Sequence, residues 1–167
     1  AFRKALEIDP RVAGAKNALG VIALERGDLA GAERLVREAI AAKPDVRLAH
    51  FNLALLAEKR GDLAGAEREY LEELKQHPES YKAAFNLSLL YEQVGDREGQ
   101  IEALEQSIVS NPRFAEGHFY LAKAYLDAGS NLDEAIRVAR KGLELGPQSE
   151  YAALGHYVLA DLLNRKG

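Results

Sequence analysis

The chain contains no cysteine, no methionine and no tryptophan among its 167 residues. Without thiols it forms neither disulfides nor thiolate metal sites. With no methionine it is expected to be an excised or processed piece of something longer. The opening AFRKALEIDP is charged and lacks the apolar stretch of a signal peptide. No run approaches the roughly 18 apolar residues of a membrane span, so a soluble chain, cytoplasmic or periplasmic, without membrane insertion is expected. A basic excess is missing too: 22 Lys and Arg stand against 26 Asp and Glu, a net charge of -4. That balance does not suit a phosphate backbone, so nucleic acid is not expected as a partner. Aromatics are sparse at 7% and prolines number five. With abundant Ala, Leu and Glu, this composition points to helices throughout.

What the sequence does have is a beat. Its prolines stand at Pro10, Pro44, Pro78, Pro112 and Pro147, spaced by 34, 34, 34 and 35 residues. Glycines keep the same interval at Gly27, Gly61, Gly95 and Gly129, and the octet GDLAGAER occurs unchanged at 27–34 and 61–68. A fixed period of this length marks stacked repeats, each too small to bury an apolar face alone.

One unit explains the others. Residues 11–26 carry Ala15, Leu19, Val21, Ile22 and Ala23 at helical spacing. Gly27 supplies the left-handed conformation common after a helix, and Asp28 can cap the helix expected over 29–42. Pro44 closes that helix, because the residue before proline is pushed out of the α region. The result is two antiparallel helices joined by a tight turn. Full units are read at 13–46, 47–80, 81–114 and 115–149. The fourth has one extra residue, placed in the GSNLDEA turn. At the start, 1–12 reads as the second helix of an incomplete unit, with Phe2, Ala5 and Leu6 on one stripe. At the end, HYVLADLLNRKG matches HFNLALLAEKRG, so 150–167 is a first helix without its mate, either a cap or a truncation.

Small residues recur where helices must approach: Gly20, Ala54, Ser88, Ala122 and Ala160 in first helices, and Ala32, Ala66 and Ala135 in second ones. Leu19, Leu53, Leu87, Leu121 and Leu159 are expected inside, facing Ile40, Leu74, Ile108 and Leu143. Glu73 and Gln100 stand where a small residue is expected, which predicts looser packing in the middle of the stack.

This pattern resembles the tetratricopeptide (TPR) repeat over essentially the whole chain. The resemblance implies an all-α, right-handed superhelical solenoid of antiparallel helix pairs, whose first helices line a concave groove for a protein or peptide partner. Lys16, His50, Ala84, His118 and His156 occupy the position where the family often has Trp. Carried over residue by residue, the groove candidates are Asn17 and Val21, then Phe51, Asn52, Leu55 and Lys59. Lys82, Phe85, Asn86, Leu89 and Gln93 follow, then Phe119, Tyr120, Lys123 and Asp127, and finally Tyr157, Asp161 and Arg165. Asn52 and Asn86, one repeat apart, suit bonding to peptide backbone, because an amide both donates and accepts. They equally suit a solubilising role. The aromatic register Phe51, Phe85, Phe119 and Tyr157 suits either a groove floor or core packing between repeats. The carboxylate clamp of chaperone-binding members is incomplete, since only Asn52 and Lys82 match it.

Other chemistries find little support. His50, His77, His118 and His156 form no i, i+4 pair, so no metal or other cofactor is expected. No nucleophile motif or phosphate loop is present, and no enzyme activity is expected. The functional expectation is therefore a protein-interaction module taking an extended or helical segment, within a larger, Ala-, Gly- and Arg-rich bacterial protein. Two alternatives stand beside it. One is a spacer or scaffold that self-associates end to end through its open helices, and the other is a non-catalytic accessory region of a multidomain enzyme.

Overall fold

The computed structural model describes residues 10–166, with side chains from 12 onward. The helix expected at 1–9 lies outside the described residues. Nine helices and no strands occur among them: α1 (Pro10–Glu25), α2 (Leu29–Ala42), α3 (Ala49–Lys59), α4 (Leu63–Gln76), α5 (Tyr81–Val94), α6 (Arg97–Ser110), α7 (Ala115–Ala128), α8 (Leu132–Leu145) and α9 (Ala152–Lys166). They fall into two compact units, residues 1–80 with α1–α4 and residues 81–167 with α5–α9. Within each unit, α1 packs on α2, α3 on α4, α5 on α6 and α7 on α8.

The turn that makes each pair is built from two glycines and an aspartate. Gly27, Gly61 and Gly95 all have φ near +80°, a conformation that costs any residue with a Cβ about 1–2 kcal/mol. The aspartate that follows accepts from the N–H three residues on: Asp28 from Gly31 at 2.8 Å, Asp62 from Gly65 at 2.8 Å, and Asp96 from Gly99 at 3.0 Å. This explains the second glycine of GDLAGAER, which the sequence pattern alone left unassigned. A Cβ on Gly31 or Gly65 would lie 2.0 or 2.1 Å from the capping carboxylate. The fourth turn departs from the rule. Its extra residue does sit there, between Gly129 and Leu132, and Asn131 enters α8 at φ 51° with no side-chain cap bond.

In the first unit, Ala32, Val36, Leu53 and Leu56 form the centre of the core. Ala54 and Ala66 are wholly buried, and Gly20 lets Val36 approach until an added Cβ would stand 2.6 Å from its Cγ2. Two expectations are corrected. Leu19, expected inside like Leu53, is 52% exposed, because no described helix covers that side of α1. Glu73 does not loosen the pair, because its carboxylate accepts from the backbone N–H of Leu48 (2.8 Å) and of Phe51 (3.4 Å). It thereby satisfies donors at the start of α3 that would otherwise be orphaned, and it holds Leu48 at a φ of 62°.

The core of the second unit includes Leu104, Leu121, Ala122, Val138, Val158 and Leu162. Ser88 and Ser107, both wholly buried, satisfy their hydroxyls by donating to the carbonyls of Phe85 and Tyr81. Ala160, expected at a close approach, is exposed, since no described helix follows α9. Phe119 fills a slot between two glycines: an added Cβ would stand 2.6 Å from its ring at Gly142 and 2.4 Å at Gly155. Gly155→Ala should therefore lower stability by about 1–3 kcal/mol through overpacking. Thermal melts of a cycle with Phe119→Leu check this, because the smaller side chain should remove most of the penalty specific to Gly155→Ala.

Candidate protein-interaction surface

The residues expected to meet a partner separate sharply by burial. In the first unit, Asn17 is 8% exposed and Asn52 is 6% exposed. Asn52 Nδ2 donates to Asn17 Oδ1 at 2.9 Å, and Asn17 Nδ2 donates to the carbonyl of Arg47 at 3.2 Å. These amides therefore tie α1 to α3 and to the loop before it. Phe51 is half-buried, its ring 5.8 Å from that of Tyr70. Val21 and Leu55 are half-buried and Lys59 is exposed.

In the second unit the aromatic register does not behave as one row. Phe119 is wholly buried and Phe85 nearly so, whereas Tyr157 is exposed. Phe119 meets no solvent because Gly142 and Gly155 close over it. Tyr120, one residue on, keeps part of its ring accessible. It is half-buried and meets Phe85 edge to face at 5.2 Å and Tyr151 at 5.9 Å. Phe85 in turn meets Phe114 at 5.1 Å, and Phe114 meets Tyr81 at 5.0 Å. Tyr81, Phe114 and Tyr151 were not among the expected residues. They lie at or beside helix starts, where a helical register alone does not show that rings from three repeats converge.

Polar groups border this aromatic chain. Lys123 is held between Glu92 and Asp127, at 2.8 Å from each. Burial acts against its charge, but those two hydrogen bonds keep its pKa above the ordinary lysine value. The Tyr151 phenol is pushed up to about 12, chiefly by its hydrogen bond to Glu116. Leu89 and Asn86 are half-buried, while Lys82, Gln93 and Asp127 are exposed. On α9, Asp161 pairs with Arg165 at 3.1 Å.

The repeating helix pairs and their glycine–aspartate turns agree with what sequence comparison finds. The Tetratricopeptide repeat profile matches in four overlapping stretches, residues 1–46, 19–80, 51–105 and 93–150. The chain belongs to the tetratricopeptide repeat family. No curated protein matches its sequence. Among solved structures, TPR-like relatives share its all-α fold. Pseudomonas aeruginosa PilF is 21% identical with a TM-score of 0.74, over 99% of this chain and 71% of that one. MamA (41-end) of Desulfovibrio magneticus RS-1 is 20% identical with a TM-score of 0.72, over 92% and 85%. A tetratricopeptide repeat protein from Parabacteroides merdae is 22% identical with a TM-score of 0.73, over 93% and 61%.

Among the described residues, no group of three His, Cys, Asp or Glu is placed to hold a metal, and no helix is long and apolar enough to cross a membrane. Two histidines of this TPR chain, His50 and His118, bond neighbouring groups. His50 Nδ1 lies 2.7 Å from Glu69, and that hydrogen bond raises its pKa against the effect of burial. His118 Nδ1 donates to the carbonyl of Phe114 at 2.9 Å, and burial lowers its pKa.

Two predictions follow from these placements. Asn52→Ala would leave Asn17 Oδ1 without its donor in a buried setting, and should cost about 1–3 kcal/mol of stability by denaturant titration. For pH, the signs oppose each other. The raised pKa of His50 gives stability that is present below its unfolded value and lost as pH rises through the folded one. The lowered pKa of His118 gives stability that is present above the unfolded value and lost as pH falls through the folded one. Acidification from pH 8 toward 5.5 should therefore favour the first unit at the expense of the second. Hydrogen exchange resolved by unit tests this, and His50→Gln and His118→Gln should each flatten the trend in its own unit.

Proposed function

We propose that this TPR chain is a protein-interaction module whose first helices receive an extended or helical segment of a partner. Interaction scaffolding is the general role of its family, and tetratricopeptide repeats are generally non-catalytic. The observation that carries the finer reading is the Tyr120 surface of the second unit. There a half-buried ring is fixed edge-on by Phe85 and Tyr151, near a lysine pinned by two carboxylates. Such a surface offers apolar area at little entropic cost, because its side chains are already immobilised. Aromatic anchors of this kind dominate binding energies.

Lys82, Asn86, Gln93 and Asp127 would supply the polar border of that surface. In the first unit, Phe51, Leu55 and Lys59 would play the corresponding part. Asn17 and Asn52 would position the helices that carry those residues, since their amides already bond each other and Arg47. The wording of the sequence, rich in Ala, Gly and Arg, supports a bacterial source.

Selection of 12-residue peptides from a displayed library, followed by calorimetry, tests the reading. Tyr120→Ala with Lys123→Ala should weaken the selected peptides at least tenfold while leaving the fold intact by circular dichroism. Unchanged affinities across the selected set would remove this surface from the function.

A further inference from the structure

The second unit holds a polar cleft of about 420 Å³ next to the Glu92–Lys123–Asp127 cluster, lined by Glu92, Gly95, Arg97, Gln100, Ala124, Leu126, Asp127 and Arg165. Gln100 is its unexplained member. It stands at the register of Ala32, Ala66 and Ala135, each of which is at most 1% exposed. Where those alanines close a helix contact, Gln100 is itself 7% exposed and lines the cleft. Its side-chain amide makes no hydrogen bond among the described residues. The bulk of the side chain is buried, while its amide atoms are not among the buried polar atoms without a partner, so the amide keeps contact with solvent at the cleft. It is therefore open to water or to a group entering the cleft.

The neighbours narrow the choice of group. Arg97 makes no ion pair among the described residues. Arg165 spends one nitrogen on the carbonyl of Leu126 (3.3 Å) and another on Asp161 (3.1 Å), which leaves further donors on its fork. Lys123 engages Glu92 Oε1 and Asp127 Oδ2, and their second oxygens accept nothing among the described residues. The cleft therefore presents spare donors and spare acceptors together, and its two arginines balance its two carboxylates. A carboxylate ligand would meet Glu92 and Asp127, and an ammonium would meet Arg97 and Arg165. A primary amide is neutral, and it offers an oxygen to the arginines and an NH2 group to the carboxylates. An amide can also pair with Gln100 in both directions.

We propose that this cleft takes the primary-amide side chain of a glutamine or asparagine from a partner segment, with Gln100 as the central contact and Arg97 as a second donor. The proposal rests on the reading of the chain as an interaction module. Its test uses small amides alone, so that its failure and the failure of the Tyr120 surface are distinguishable.

The 15N-labelled chain is titrated by NMR with N-acetylglutamine methylamide, with the asparagine, glutamate, lysine and leucine counterparts, and with free glutamine. The capped glutamine or asparagine compound should shift the Gln100 side-chain NH2 signals and the backbone amides of Gly95 and Arg97. The glutamate, lysine and leucine compounds should leave them in place. Gln100→Ala installs the residue that the other repeats carry at this position, and it should abolish the shifts while leaving the remaining spectrum unchanged. Arg97→Gln should weaken the response several-fold. The proposal is overturned by an equal response to the glutamate compound, which would mark an anion site, or by a stronger response to free glutamine than to the capped form, which would mark a small-molecule site. It is equally overturned if nothing shifts at 100 mM of the amide compounds.

Discussion

Everything in this chain depends on how closely two helices of a pair can approach. Gly20 admits Val36, Ala54 and Ala66 vanish into their contact, and Ala122 and Ala135 do the same in the second unit. Small residues at these points let backbones come near enough for the larger side chains around them to interdigitate at interior density. The turn then fixes the geometry. A left-handed glycine ends the first helix, and an aspartate starts the second by occupying the space that a Cβ three residues later would need. The period of about 34 residues is the linear record of these steric requirements.

Where the sequence breaks the small-residue rule, the structure uses the break. Glu73 is buried at such a position, and it turns its carboxylate to the backbone donors at the start of α3. Gln100 is mostly buried at another, the register of Ala32, Ala66 and Ala135, and it lines a polar cleft. Gly142 and Gly155 run the other way, since their missing side chains are filled by the ring of Phe119. Glu73 and the two glycines thereby acquire specific partners within the chain. A purely packing-based reading of the same residues would have recorded three defects.

The candidate surface shows the same redistribution. Asn17 and Asn52 are amides suited to a ligand backbone, yet they bond each other between two helices. Phe85 and Phe119 share a register with Phe51 and Tyr157, yet the first two are buried while Phe51 is half-buried and Tyr157 exposed. Beside Phe119, the half-buried ring of Tyr120 is oriented by Phe85 and Tyr151 from neighbouring segments.

The repeat length, the helix pairs, the turn glycines, the aspartate caps and the place of the inserted residue were legible from the sequence, because each depends on residues within one unit of about 34. Helix ends obey local steric and hydrogen-bonding rules, and a pattern repeated four times displays those rules openly. Burial was less legible. Leu19 and Leu53 are the same residue at the same register, and their exposure differs only because of what lies beside them. The partners of Asn52, Glu73 and Phe119 stand 35, 25 and 36 residues away along the chain, at Asn17, Leu48 and Gly155. Contacts at that separation are set by how rigid helices stack, and only the folded arrangement chose which polar groups were satisfied inside and which were left facing outward.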